Sequence, residues 1–154
     1  MIRLVWGTGT ASTRKASFDD ALAAANVHQY NLRELSSVIP AGVTLELVDT
    51  APDLGTTGSA LDVVLARQTS PPGTRAAAGL AWTRTDDGSG IFYEVEDTDP
   101  DAVRNRLLRG IEHGCAIRGI EPDVETKIVT ADPSPDKYST AVVLAVYGES
   151  EPLV

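Results

Sequence analysis

The sequence predicts an α+β domain, and three observations carry that prediction. Stretches of alternating or continuous apolar residues follow one another through the middle and end of the chain, with turn clusters between them. Helical spacing occurs in only two places. The chain has 154 residues, 42% of them hydrophobic, enough for one buried core without disulfides or metal staples.

Taken in order, Ile2 to Trp6 reads as a first strand, closed by Gly7-Thr8-Gly9-Thr10 as a flexible loop. A short helix follows. Ser17 is its expected N-cap, Asp19 and Asp20 place negative charge in the favoured first turn, Ala21 to Ala25 form its body, and Asn26 ends it in a left-handed conformation. Strands are expected at Tyr30 to Ser37, Thr44 to Val48, Leu61 to Gln68 and Ala77 to Thr83. Asp99, Pro100 and Asp101 open a second helix, with Val103, Leu107, Leu108 and Ile111 at helical spacing and Gly114 near its end. Val124 to Val129 and Thr140 to Tyr147 are the last strands, separated by Asp132-Pro133-Ser134-Pro135-Asp136. No repeat, low-complexity tract or linker divides the chain, so residues 1–154 are expected to form a single domain.

Charge narrows the function. With 22 acidic against 13 basic residues the net charge is −9, a field that repels nucleic acid and anionic membranes. Only three of the basic residues are lysine, and a lysine-poor, aspartate-rich surface suits a cytoplasm of high salt; an acidic enzyme of ordinary salt is the alternative. No apolar run approaches the roughly 20 residues a membrane helix needs, and the N-terminus enters a strand pattern in place of a signal peptide. A soluble cytoplasmic protein is expected.

Several chemistries lack their residues. A dinucleotide loop needs a third glycine and an immediate helix, which the Gly7-Thr8-Gly9 segment does not supply. His28 and His113, the only histidines, stand far apart and without companions at ligand spacing, so neither a metal site nor a Ser-His-Asp triad is expected. The single Cys115 reads as a small buried thiol.

The informative segment is Ser17-Phe18-Asp19-Asp20-Ala21-Leu22, followed by Tyr30-Asn31-Leu32-Arg33-Glu34-Leu35-Ser36-Ser37-Val38-Ile39-Pro40. With Phe92-Tyr93-Glu94-Val95-Glu96 and Gly114 to Gly119, it resembles the pyruvoyl-dependent arginine decarboxylases of archaea and some bacteria. That family carries a Phe-Asp-x-Ala-Leu helix, an Asn-Leu pair and a Ser-Ser-x-x-Pro cleavage site. Two positions depart from the pattern. Ala41 follows Pro40 where many members have a second proline, and Asn26 replaces a usual glycine; neither removes a reacting group.

The resemblance implies self-cleavage between Ser36 and Ser37 into fragments 1–36 and 37–154. If the Ser37 hydroxyl attacks the Ser36 carbonyl, the amide becomes an ester, a step that near-attack geometry can drive without an outside catalyst. β-Elimination then leaves dehydroalanine, which hydrolyses to an N-terminal pyruvoyl group, the enzyme's only cofactor. Its ketone would engage the substrate's α-amine and accept the electrons freed as carbon dioxide leaves. The implied reaction is L-arginine to agmatine.

Residue roles are implied the same way. Glu94 matches the catalytic glutamate that returns a proton to the α-carbon, a role suited to a carboxyl partly buried near Phe92 and Val95; Glu96 is the rival two residues on. Asn31 matches an asparagine lying against the pyruvoyl group, where an amide can donate to a developing oxyanion; its plainer reading is an ordinary loop asparagine. Asp19 and Ser36 are the implied substrate-binding positions, Asp19 by pairing with a guanidinium, although a charge in a helix first turn would also explain it. The implied architecture is a four-layer αββα sandwich, assembled as a trimer with sites between protomers. The alternatives are a pyruvoyl decarboxylase of another amino acid, or an unprocessed relative acting as a binding or structural trimer.

Overall fold

The computed structural model describes residues 1–154. Nine strands and two helices follow one another as β1 (Ile2–Ala11), α1 (Arg14–Ala24), β2 (Asn31–Glu34), β3 (Val38–Ile39), β4 (Leu45–Asp49), β5 (Ala60–Ser70), β6 (Ala76–Arg84), β7 (Gly90–Asp97), α2 (Pro100–Arg118), β8 (Glu125–Ala131) and β9 (Tyr138–Tyr147). They form one sheet in the order β2-β5-β9-β1-β4 and another in the order β3-β7-β6-β8. The β1–β4 and β2–β5 pairs are parallel and the remaining pairs antiparallel.

Side-chain alternation turns these strands into four layers. Leu4, Val64, Ala66, Val143 and Ala145 from the first sheet meet Ala78, Leu80, Trp82 and Phe92 from the second, filling the space between sheets. The opposite face of the first sheet, with Val5, Leu61, Val63, Val142 and Leu144, packs against Ala21, Leu22 and Ala25 of α1. The opposite face of the second, with Ala77, Ala81, Ile91 and Val95, packs against Val103, Leu107, Ile111 and Cys115 of α2. The result is the αββα sandwich. Strands β6 and β9 lie inside their sheets and face protein on both sides, which is why their sequences are almost continuously apolar.

Three local expectations are corrected. The glycines expected to form a loop lie within β1, which runs unbroken to Ala11. A Cβ on Gly7 would sit 2.4 Å from the Ala21 carbonyl oxygen, and one on Gly9 2.4 Å from the Ala21 nitrogen, so both glycines exist to let α1 rest on the strand. The helix is capped by Thr13, whose side chain accepts from the Ala16 N–H at 3.1 Å, and not by Ser17. Ser17 is buried one turn inside, its hydroxyl against that of Thr140, and Asp19 and Asp20 consequently fall outside the first turn. The helix does end at the expected place, with Asn26 at φ 60°.

The third correction concerns the strand expected over Tyr30 to Ser37. Pairing stops at Glu34; Leu35, Ser36 and Ser37 cross between sheets, and Val38 and Ile39 then join the other sheet beside β7. Gly114 lies near the end of α2 as expected, and the helix continues to a left-handed cap at Gly119. No helix is long and apolar enough to cross a membrane.

Gly9→Ala tests the α1 contact. The added methyl meets backbone on two sides, so the variant should lose roughly 1–3 kcal/mol of stability, as overpacking does, read as a lower denaturant midpoint. An unchanged midpoint would mean that α1 is free to move away.

Candidate active site

The crossing at residues 35–37 builds the site. Ser37 has φ 70°, in the left-handed region that an L-serine enters at a cost of roughly 1–2 kcal/mol. It is held there from β7: the Phe92 N–H donates to the Ser37 carbonyl at 2.8 Å, and the Ser37 hydroxyl donates to Glu94 Oε2 at 2.8 Å. The backbone and the reactive group of one serine are thus fixed by two residues of a single strand, separated by one pleat.

Behind this pair is a cavity of about 490 Å³. Ser36, Ser37, Phe92 and Glu94 form one side. Helix α2 forms the other, with His113 and Arg118 as its polar groups. Gly110 and Gly114 bring that helix close: a Cβ on Gly110 would overlap the Tyr93 ring at 2.1 Å, and one on Gly114 would come within 2.7 Å of Ile91 Cδ1.

Next to the crossing, the Tyr147 hydroxyl donates to the Val38 carbonyl at 2.8 Å, and its ring meets Phe92 edge-on with centroids 6.3 Å apart. Burial, with the nearby Glu94 charge adding to it, pushes the Tyr147 phenol up to about 12. Glu96 lies on the same face of β7 as Glu94. Desolvation pushes its carboxyl above the ordinary range, opposed by Arg106 and reinforced by the Glu94 charge. The expected partial burial of Glu94 does not occur in one chain, where the residue is exposed.

A single chain brings Ser36, Ser37 and Glu94 together but not the other two expected residues. Asn31 is at the far end of β2, six residues from Ser37, and its side-chain amide donates to the Gly58 carbonyl at 2.7 Å. Asp19 is exposed on α1, on the outer side of the other sheet, and does not line the cavity. His113, Arg118 and Tyr147 are site neighbours that the sequence reading did not place there. Fixed spacing offers no signal for them, because α2 and β9 reach Ser37 only through tertiary packing. Cys115 is buried in the α2 core, where desolvation raises its thiol pKa.

Residues 1–152 match the family model described as pyruvoyl-dependent arginine decarboxylase. A protein of that name from Halobacterium salinarum is 52% identical over 157 aligned positions, covering 99% of this chain and 96% of the relative. One from Methanopyrus kandleri is 33% identical, covering 94% and 93% respectively, and one from Pyrococcus abyssi is 28% identical, covering 87% and 85%. The chain belongs to the pyruvoyl-dependent arginine decarboxylase family.

The raised Glu96 pKa has a signed consequence. Below the ordinary glutamate range Glu96 is protonated in both folded and unfolded chains and carries no penalty. As pH rises through about 4, the unfolded chain ionises first, so folding loses stability until the folded carboxyl also ionises. Glu96→Gln should therefore melt slightly higher than the parent at pH 7, with the difference shrinking below about pH 4. Thermal unfolding at both pH values checks it; a lower melting temperature at pH 7 would show that the Arg106 attraction dominates.

Proposed function

We propose that this chain is made as a proenzyme, cuts itself between Ser36 and Ser37, and decarboxylates L-arginine to agmatine and carbon dioxide. The observation that carries this reading is Ser37 itself, left-handed and hydrogen-bonded to a carboxylate at 2.8 Å, in a chain of this family. In the first step a bond forms between Ser37 Oγ and the Ser36 carbonyl carbon while the peptide C–N bond breaks. The hydroxyl proton ends on the freed nitrogen of residue 37, so the shift balances without an outside acid or base. Elimination then removes the Cα proton of residue 37 and breaks its Cβ–Oγ bond, leaving a carboxylate on Ser36 and a dehydroalanine whose enamine tautomerises to an imine, which water hydrolyses to the ketone and ammonia.

The surroundings suit such a product. A pyruvoyl group has no stereocentre and no φ, so the left-handed strain at residue 37 disappears when it forms. The new Ser36 carboxylate gains no matching ammonium, since the other new end is neutral. His113 and Arg118 in the same cavity wall are the groups suited to balance it. When present, the pyruvoyl carbonyl supplies the electrophile for the substrate's α-amine and the sink for the electrons released with carbon dioxide. Glu94 then holds the proton that returns to the α-carbon.

Asp19 and Asn31 enter from a neighbouring copy in this reading. Strand β3 covers β7 for only two residues, so the β7 edge is bare beyond Phe92. Leu35, Val38 and Tyr93 are exposed around it, 37%, 53% and 40% respectively, as an interface would require. A trimer sharing sites across that edge would place Asn31 against the pyruvoyl group and let Asp19 receive the substrate guanidinium. Arginine is the substrate named for the relatives, and a planar guanidinium matches a carboxylate in two-point contact. The acidic, lysine-poor surface further supports a cytoplasm of high salt.

Intact mass of the purified protein should show fragments 1–36 and 37–154, the larger with a blocked N-terminus. A chain that stays whole at every salt concentration would overturn the reading and favour a non-catalytic trimer. Ser37→Ala should abolish cleavage and activity together.

Glu94→Gln should still cleave yet lose a factor on the order of 10² or more in kcat. Glu96→Gln giving that loss instead would move the proton-returning role two residues along.

Asp19→Asn should raise the KM for arginine strongly, as loss of one partner of a desolvated pair worth roughly 3–5 kcal/mol does, and leave cleavage intact. Lysine should be a poor substrate of the parent. Equal turnover of arginine, lysine and an uncharged analogue would leave a decarboxylase of another amino acid.

A further inference from the structure

Cleavage would turn the most constrained residue of the chain into a chain end, and ends fray unless tied down. The ties available to residue 37 are few. β3 pairs only Val38 with Ile91 and Ile39 with Gly90. Ile39, 1% exposed, is the first side chain after the cut that is anchored by burial, whereas Val38 is 53% exposed. The Ser37 carbonyl accepts a ladder-type bond from the Phe92 N–H, and loss of the Ser37 hydroxyl, which donates to Glu94, would leave only that bond to hold residue 37. Val38 is then at the alternate, non-bonded position, with its carbonyl turned to the open side of the sheet.

That open-side carbonyl is the one Tyr147 takes. Tyr147 ends β9 in the other sheet, so its hydroxyl ties the two sheets together at the second residue after the scissile bond. Its ring is held edge-on by Phe92, the residue whose N–H holds the Ser37 carbonyl, so both ties to the new chain end run through one aromatic pair. A phenol that titrates only near 12 remains a donor over any working range.

We infer that Tyr147 is a positioning residue for the reacting carbonyl: its hydroxyl, through the Val38 carbonyl, fixes the new chain end in reach of Glu94. The inference rests on the processing reading above. Tyr147 does not line the Ser37 cavity, so its loss should disturb geometry and not substrate binding.

Tyr147→Phe removes one oxygen and keeps the ring on Phe92. The holoenzyme variant is compared with the parent by fragment masses, by titrating the carbonyl with phenylhydrazine, and by steady-state kinetics normalised to that titre. The expected result is kcat per carbonyl lower by roughly 10- to 100-fold, the range a displacement of about 1 Å produces. The arginine KM should stay within about twofold, and phenylhydrazine should react at least as fast as with the parent, because a frayed end is more open. A merely structural role would lower the melting temperature without this division. Unchanged kcat per carbonyl, or a raised KM with kcat held, overturns the role of Tyr147 alone. Absence of any carbonyl signal in the parent overturns the processing reading and this inference with it.

Discussion

The constraint on which the site depends is the passage of the chain from one sheet to the other over Leu35, Ser36 and Ser37. β2 is an edge strand of the first sheet and β3 an edge strand of the second, and three residues must span the gap between them. An extended serine would continue the first strand. The left-handed turn at Ser37 redirects the backbone into register with β7, where it meets both the Phe92 N–H and the Glu94 carboxylate. Strain and the hydroxyl's contact with Glu94 therefore reside in one residue because the topology requires a turn there, and β7 over-determines the result.

Electrostatics contribute little to holding this arrangement together. The ion pairs, Arg33 with Asp62 and Glu151, Arg106 with Asp97 and Arg75 with Asp99, are all substantially exposed. Pairs of this kind contribute about 0–1 kcal/mol each and less as salt rises. The three apolar layers between sheets and helices are not screened. A chain with net charge −9 can thus meet high salt with its fold carried by terms that salt does not weaken, while the same salt reduces its self-repulsion.

The sequence makes the layers legible, because β6, β9 and the α2 face each announce their burial by composition. It makes the candidate serine legible through the ordered motif around Ser36-Ser37. It conceals the break before Ser37, since no glycine or proline marks the crossing at Leu35, Ser36 and Ser37, which only the second sheet explains. Gly7 and Gly9 mislead for a related reason: a glycine needed for close helix packing has the same letter as one needed for a turn. Ser17 is a good cap in principle, but Thr13 lies a turn earlier and the Ser17 hydroxyl finds Thr140 across the layer. His113, Arg118 and Tyr147 were out of reach, because their nearness to Ser37 is a property of packing and not of spacing.

The topology also bears on why a cut at this point is tolerable. Residues 1–36 contain β1, α1 and β2, and β1 is no edge strand: it pairs with β4 on one side and along its whole length with β9 on the other. Its outer face carries α1 and its inner face enters the core between sheets. Severing the chain after Ser36 removes one covalent link between edge strands and none of these pairings. The piece that would leave residue 37 as a chain end is therefore itself an interior part of the sandwich, with dissociation opposed by three strand ladders and two apolar layers. The freedom such a cut would bring is confined to the few atoms between Ser36 and Ile39, where the Phe92 and Tyr147 contacts limit it.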